Sequence, residues 1–316
     1  MRRTLTTLTT LGGLAAAGWG AARWNLQRLR SNPDPFDLDT LRRDPEGETV
    51  RIDRPDGTRI RAVVAGEGPT VLLAHGYGVS LKEWNVVMAR LVEEGHRVVA
   101  FDWRGHGQTT IGTDGMSPEA IAGDYVAVME HFDVHDAVLV GHSTGGYLAI
   151  ATLLEHPEVA ERLAGLVLFA SLAGDALKDA PQNQAQIPLI RSGVMERIAA
   201  TDLLGMPFAA SIFGPGASPA ACRVFLEEFT SQDHQQLLPL LERLATTGYY
   251  DRLGAIGVPT VVICGEQDST TPRWHSEAMG RDIPTASNVW VPDAGHMLNW
   301  QAPETLVAAV TELSPG

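Results

Sequence analysis

Ala137-Val138-Leu139-Val140-Gly141-His142-Ser143-Thr144-Gly145-Gly146 decides how this chain is read. Ala137 to Gly141 are small or branched apolar residues, the pattern of a buried strand. A helical pattern follows at once in Tyr147-Leu148-Ala149-Ile150-Ala151-Thr152-Leu153-Leu154. Strand, tight turn with Ser at its tip, then helix is the nucleophile elbow. Gly141 and Gly145 flank the turn where a Cβ would clash. Ser143 is expected at a helix N-terminus, where backbone N–H groups point at developing negative charge.

Working outward, the same rhythm repeats. Val50–Asp53 and Arg59–Val64 alternate around Pro55-Asp56-Gly57, a hairpin signal. Thr70–Ala74 is a continuous apolar run, as in a parallel strand covered on both faces, and ends at His75-Gly76-Tyr77-Gly78. Ser80 and Glu83 read as a capping box for the next helix. Arg97–Phe101 is a strand ending at Asp102-Trp103-Arg104-Gly105-His106-Gly107, and Ser117-Pro118 starts a further helix. Gly165–Ala170, Pro259–Cys264 and Asn288–Val291 are further strands. Alternating strands and amphipathic helices argue an α/β fold with a mostly parallel twisted sheet flanked by helices. Ligands bind at the carboxyl ends of such strands, where His75-Gly76, Asp102 and Ser143 fall.

Residues 175–247 break the rhythm with helical patterns and Gly214-Pro215-Gly216, and are expected as a helical cap over the site. Their apolar residues include Met195, Leu203, Leu204, Met206, Phe208, Ile212, Phe213, Phe225, Phe229, Leu237 and Leu238. Most are expected to form the cap's own core, with a subset facing an apolar acyl or aliphatic substrate. The expected organisation is residues 1–30 as a hydrophobic anchor or signal, 31–48 as a linker, 49–174 and 248–314 as the core, and 175–247 as the cap.

The 316 residues carry a formal charge of −14, with 20% charged and 44% hydrophobic residues. An acidic chain without a basic stripe is not a nucleic-acid binder. Two cysteines, Cys222 and Cys264, without a CxxC or a His/Cys cluster indicate neither a disulfide scaffold nor a metal site, and no cofactor is expected. Thr4 to Ala22 carries no charge between Arg2-Arg3 and Arg23. As a helix it would span about 28 Å, near a bilayer core. Its basic start and small residues also fit a secretory signal. It is read as a membrane anchor or an export signal; otherwise the protein is cytoplasmic. Oligomeric state is left open.

Ser143, Asp268 and His296 come in the order nucleophile, acid, base, each just after a strand. A Ser hydroxyl needs an adjacent base, His296 can take its proton, and Asp268 would orient the imidazole. Asp175 is the alternative acid. The backbone N–H groups of Tyr77 and Thr144 are the expected oxyanion donors.

The set His75-Gly76, Asp102–Gly107, Gly141–Gly146, Gly265-Glu266-Gln267-Asp268 and Gly295-His296 resembles the α/β-hydrolase superfamily over residues 50–312. The elbow is similar to those of its serine-nucleophile branch, which includes esterases, lipases and cofactor-free haloperoxidase-like enzymes. The resemblance implies the α/β-hydrolase fold, and it implies that Asp102, Arg104, His106 and His142 are mainly structural. Ser at the tip argues against epoxide hydrolases and haloalkane dehalogenases, which use Asp there. The expected activity is hydrolysis of a carboxylic ester or similar small acyl substrate. The alternatives are a perhydrolase, a C–C hydrolase or lyase on the same triad, or a non-catalytic ligand-binding protein.

Overall fold

Eight strands form one sheet: β1 (Glu48–Asp53), β2 (Arg59–Ala65), β3 (Thr70–Ala74), β4 (Arg97–Asp102), β5 (Ala137–His142), β6 (Leu163–Phe169), β7 (Thr260–Gly265) and β8 (Ala286–Val291). The computed structural model describes residue 20 and residues 23–315. All of the uncharged 4–22 segment except Gly20 lies outside the described residues. Among those described, no helix is long and apolar enough to cross a membrane. The strand order is β1-β2-β4-β3-β5-β6-β7-β8. β2 is antiparallel to both neighbours and the rest of the sheet is parallel.

The reason lies in the residue pattern. β3, β5 and β7 are buried at every position, because crossover helices cover both faces of a parallel sheet. Side chains alternate across the pleat. Leu72, Leu139, Leu168 and Val262 face one core layer, and Leu73, Val140, Val167 and Ile263 the other. The β1–β2 hairpin turns where Asp56 Oδ1 accepts the Thr58 N–H at 2.9 Å and Gly57 takes a φ of 88°.

Twelve α-helices accompany the sheet from residue 38 onward: α1 (Leu38–Arg42), α2 (Asn85–Glu93), α3 (Pro118–His131), α4 (Thr144–Glu155), α5 (Pro181–Arg191), α6 (Val194–Ala199), α7 (Asp202–Phe213), α8 (Pro219–Ser231), α9 (His234–Thr246), α10 (Trp274–Asp282), α11 (Leu298–Gln301) and α12 (Pro303–Leu313). Residues 23–30 are also helical. α3 starts with Pro118 in its first turn and Ser117 Oγ accepting the Ala120 N–H. The helices α5–α9 follow β6 and share a separate apolar cluster that includes Met195, Met206, Phe213 and Phe229. Leu26, Leu29 and Leu41 from the N-terminal stretch join that cluster. Asp34 accepts hydrogen bonds from Ser218 and Ala220 at the start of α8.

One local expectation fails. Ser80 Oγ accepts the Lys82 N–H in a 3₁₀ turn, Leu81–Trp84, and the Glu83 side chain does not complete a capping box. Its carboxylate turns into the core instead, where it meets His142. A buried imidazole donor competes better for that carboxylate than a helix N-terminus does.

Candidate active site

Ser143 sits between β5 and α4 with φ 52° and ψ −120°. A non-glycine residue held there costs about 1–3 kcal/mol, so its surroundings must enforce it. They do so through the Ser143 N–H, which donates to the Phe169 carbonyl at 2.9 Å, and the Ser171 hydroxyl, which donates to the Ser143 carbonyl at 2.8 Å. A Cβ at Gly145 would lie 2.3 Å from the Ala74 carbonyl oxygen, so the turn closes only without a side chain there. Thr144 is the first residue of α4, and its N–H has no partner within that helix.

Asp268 lies just past β7 and His296 in the loop after β8. His296 Nδ1 donates to Asp268 Oδ2 at 2.8 Å. The Thr271 hydroxyl donates to the same oxygen at 2.6 Å, and the Thr270 and Thr271 N–H groups donate to Oδ1 at 2.8 and 2.9 Å. Burial opposes the charge on Asp268, but His296 and the Thr271 bonds outweigh it and hold the carboxyl below its usual range. Asp175 is exposed, at φ 53°, and it is Asp268 that reaches His296. The His296 N–H donates to the Ile212 carbonyl at 2.9 Å, tying this loop to the end of α7.

Tyr77 lines the same cavity as His296. Its neighbours' N–H groups are both engaged: Gly76 N–H donates to Glu83 Oε1 at 3.2 Å, and Gly78 N–H to His106 Nε2 at 3.0 Å. Asp102, Trp103 and His106 scaffold this loop. The Leu81 N–H donates to Asp102 Oδ1 and the Trp103 indole to the His75 carbonyl. Arg104 pairs with Asp56 and Asp124, away from the cavity.

The buried histidines predict a pH dependence of stability. Burial, then the neighbouring His75, push His106 well below the ordinary imidazole range, burial lowers His275 to about 3, and burial lowers His75 and His234 in the same direction. The unfolded chain therefore takes up protons below about pH 6.5 that the folded chain refuses, and stability falls with pH. The cost is on the order of 1 kcal/mol per such histidine at pH 5.5. His142 opposes this: burial lowers its affinity for a proton, but Glu83 more than compensates and raises it. Its contribution is fullest below the unfolded value and is lost as pH rises through the folded one. Asp268, depressed, matters only below its unfolded value near 3.8. Urea unfolding at pH 5.5 should show a net loss of roughly 1–3 kcal/mol against pH 7.5; equal or greater stability at pH 5.5 contradicts the assignment.

One cavity is lined by Gly76, Tyr77, His142, Ser143, Thr144 and His296 on the sheet side. Its roof is mostly apolar, with Phe208 and Ile212 from α7, Phe225 and Phe229 from α8, and Leu241 and Leu244 from α9, and with the amides Gln182, Asn183 and Gln186 of α5 on one side. Met195, Met206 and Phe213 instead pack within the separate apolar cluster shared by α5–α9. Both cysteines are free and buried, which pushes their thiols up to about 12. Among the described residues, no three His, Cys, Asp or Glu side chains are grouped to hold a metal.

Four residues escape the sequence reading. Ser171 and Thr271 carry no pattern beyond a strand end and a turn. Glu83 and His142 look like a helix cap and a scaffold imidazole, yet they meet beside the cavity.

The family model described as the alpha/beta hydrolase family matches residues 71–310. A non-heme haloperoxidase of Rhodococcus erythropolis is 29% identical over 226 residues, which is 69% of this chain and 81% of that one. A bifunctional esterase/perhydrolase of Acinetobacter calcoaceticus is 44% identical over 80 residues, 25% of this chain and 29% of that protein. The solved esterase from Exiguobacterium antarcticum superposes with a TM-score of 0.74 at 23% identity, covering 84% of this chain and all of that one.

Proposed function

Because this chain belongs to the alpha/beta hydrolase family, we propose that it is a serine hydrolase of carboxylic esters or similar acyl compounds. The observation that carries this reading is the 2.8 Å His296–Asp268 bond at the cavity that Ser143, on its strained turn, also lines. In this reading His296 Nε2 takes the Ser143 proton as Oγ attacks the substrate carbonyl carbon. The oxyanion of the tetrahedral intermediate is held by the Tyr77 and Thr144 N–H groups, each such donor supplying about 2.7–4 kcal/mol. The C–O bond breaks, and His296 returns the proton to the departing alcohol. Water, deprotonated by His296, then attacks the acyl-enzyme and releases the acid and Ser143. Asp268 stays ionised throughout and stabilises the imidazolium.

The apolar roof supports an aliphatic acyl chain over a charged one. A fluorophosphonate probe should label the protein, and p-nitrophenyl ester turnover should rise from acetate to medium chains. No labelling of folded protein removes the serine reading, and a flat chain-length profile removes the apolar-substrate reading. A second outcome of the same acyl-enzyme is favoured by two relatives, named a haloperoxidase and an esterase/perhydrolase. There, hydrogen peroxide replaces water in deacylation and a peracid leaves; peracid release from an ester and peroxide measures it directly.

A further inference from the structure

The buried Glu83 carboxylate makes three bonds at the edge of the cavity. Oε1 accepts the Gly76 N–H at 3.2 Å, and the two oxygens lie 3.0 and 3.1 Å from His142 Nδ1. His142 Nε2 lies 3.1 Å from the His296 carbonyl oxygen. That oxygen can only accept, so Nε2 must carry a proton. A carboxylate that already accepts the Gly76 N–H favours a proton on Nδ1 as well, making His142 an imidazolium. The chain thus holds a buried ion pair immediately before its nucleophile, with the His142 and His296 rings 5.0 Å apart.

We propose that Glu83 and His142 are positioning residues for the reaction: they clamp the Tyr77 loop to the His296 loop, and they hold the His142 cation on the cavity wall where the oxyanion forms. This rests on the serine-hydrolase reading above. The clamp works through main chain on both sides. Gly76 precedes the Tyr77 oxyanion donor, and the His296 carbonyl belongs to the base itself. Glu83 therefore holds the donor and the base at a set separation, while its partner His142 adjoins Ser143 in sequence. The Gly76 site is fitted to this pair, since a Cβ there would lie 3.0 Å from His142 Nδ1. Asn299 Nδ2 donates to the Glu83 carbonyl at 2.7 Å and fixes the turn from behind. The titratable groups facing His142 are Glu83 from that turn and Asp268 and His296 from the loops after β7 and β8. The charge on His142 lies on the wall where the oxyanion forms.

Glu83→Gln separates clamp from charge. The Gln oxygen can still accept the Gly76 N–H, and its NH₂ can donate to a neutral His142 Nδ1, leaving Nε2–H on the His296 carbonyl. The fold and KM for a p-nitrophenyl ester should hold. The expected result is a kcat lower by roughly tenfold at unchanged KM, because the charge facing the oxyanion is lost. A group that only packs would leave kcat in place while the fold holds. Wild-type kcat in folded Glu83→Gln overturns the proposal. In wild-type protein, ring ¹⁵N spectra should show one imidazole with both nitrogens protonated persisting at pH 8. If Glu83→Gln does not fold, absence of that signal overturns the proposal and its presence supports it. Fluorophosphonate labelling of the wild type is the control: no labelling refutes the hydrolase reading, and labelling with a wild-type kcat in Glu83→Gln refutes the role of the Glu83–His142 charge alone.

Discussion

Ser143→Ala should lose ester turnover by about 10⁶ and all fluorophosphonate labelling while remaining folded. The chemical reason is that Ser143, the nucleophile in the proposed reading, lines the cavity at the turn between β5 and α4, and alanine there carries no hydroxyl. The size reflects the loss of the acyl-enzyme route itself; what remains is whatever the oxyanion donors do for direct attack by water. Stability is a separate readout here. Alanine at φ 52° carries the same backbone strain as serine, so Ser143→Ala should melt close to the wild type. Ser143→Gly removes that strain and should unfold at higher urea, by roughly 1 kcal/mol. Higher stability with no turnover would show that the strain serves the chemistry and not the fold. Labelling or turnover within a factor of about ten of wild type in Ser143→Ala would move the nucleophile elsewhere.

Asp268→Asn should lower kcat by about 10⁴ with little change in KM. The structure makes the outcome specific. Asp268 Oδ1 accepts two backbone N–H groups, from Thr270 and Thr271, so the amide oxygen of Asn must occupy that side. Its NH₂ then faces His296 Nδ1, where the carboxylate oxygen now lies at 2.8 Å. Two donors cannot face each other, so His296 gives up its Nδ1 proton and carries one on Nε2. In that tautomer the nitrogen that should take the Ser143 proton is already occupied. The Thr271 hydroxyl loses its bond to Oδ2 but already reaches the Ala170 carbonyl at 3.0 Å, so the loop has an alternative partner. The measurement is kcat and KM for one ester in both proteins, with circular dichroism as the check on folding. A fall of less than about tenfold would mean that another acid orients His296.

The order of the strands' chemistry was legible along the chain. β5 running into Gly141–Gly146, and the continuous apolar runs of β3, β6 and β7, state their own period, so the parallel sheet can be read from local pattern. The hairpin at Asp56-Gly57 and the start of α3 at Ser117-Pro118 are legible for the same reason, since backbone and cap preferences act over a few residues. The turn at Ser80–Glu83 misled because its local signal was real and a distant partner was stronger. The apolar residues of α7 and α8 show the same limit. Phe208 and Phe225 line the cavity while Met206 and Phe213 pack within the apolar cluster of α5–α9, and nothing in their spacing distinguishes them.

The sequence by itself determined the sheet, the elbow at Ser143 and the candidates Asp268 and His296, because each is written in contiguous residues whose dihedral and burial preferences are local. Only the tertiary structure decided which acid meets His296, which cap residues face the cavity, and that Glu83 lies against His142. Those are facts of pairs 28 and 59 residues apart, and of a His142–His296 bond that spans 154. A buried charge accepts whichever partner the fold brings within reach, and one-dimensional spacing holds no record of that partner.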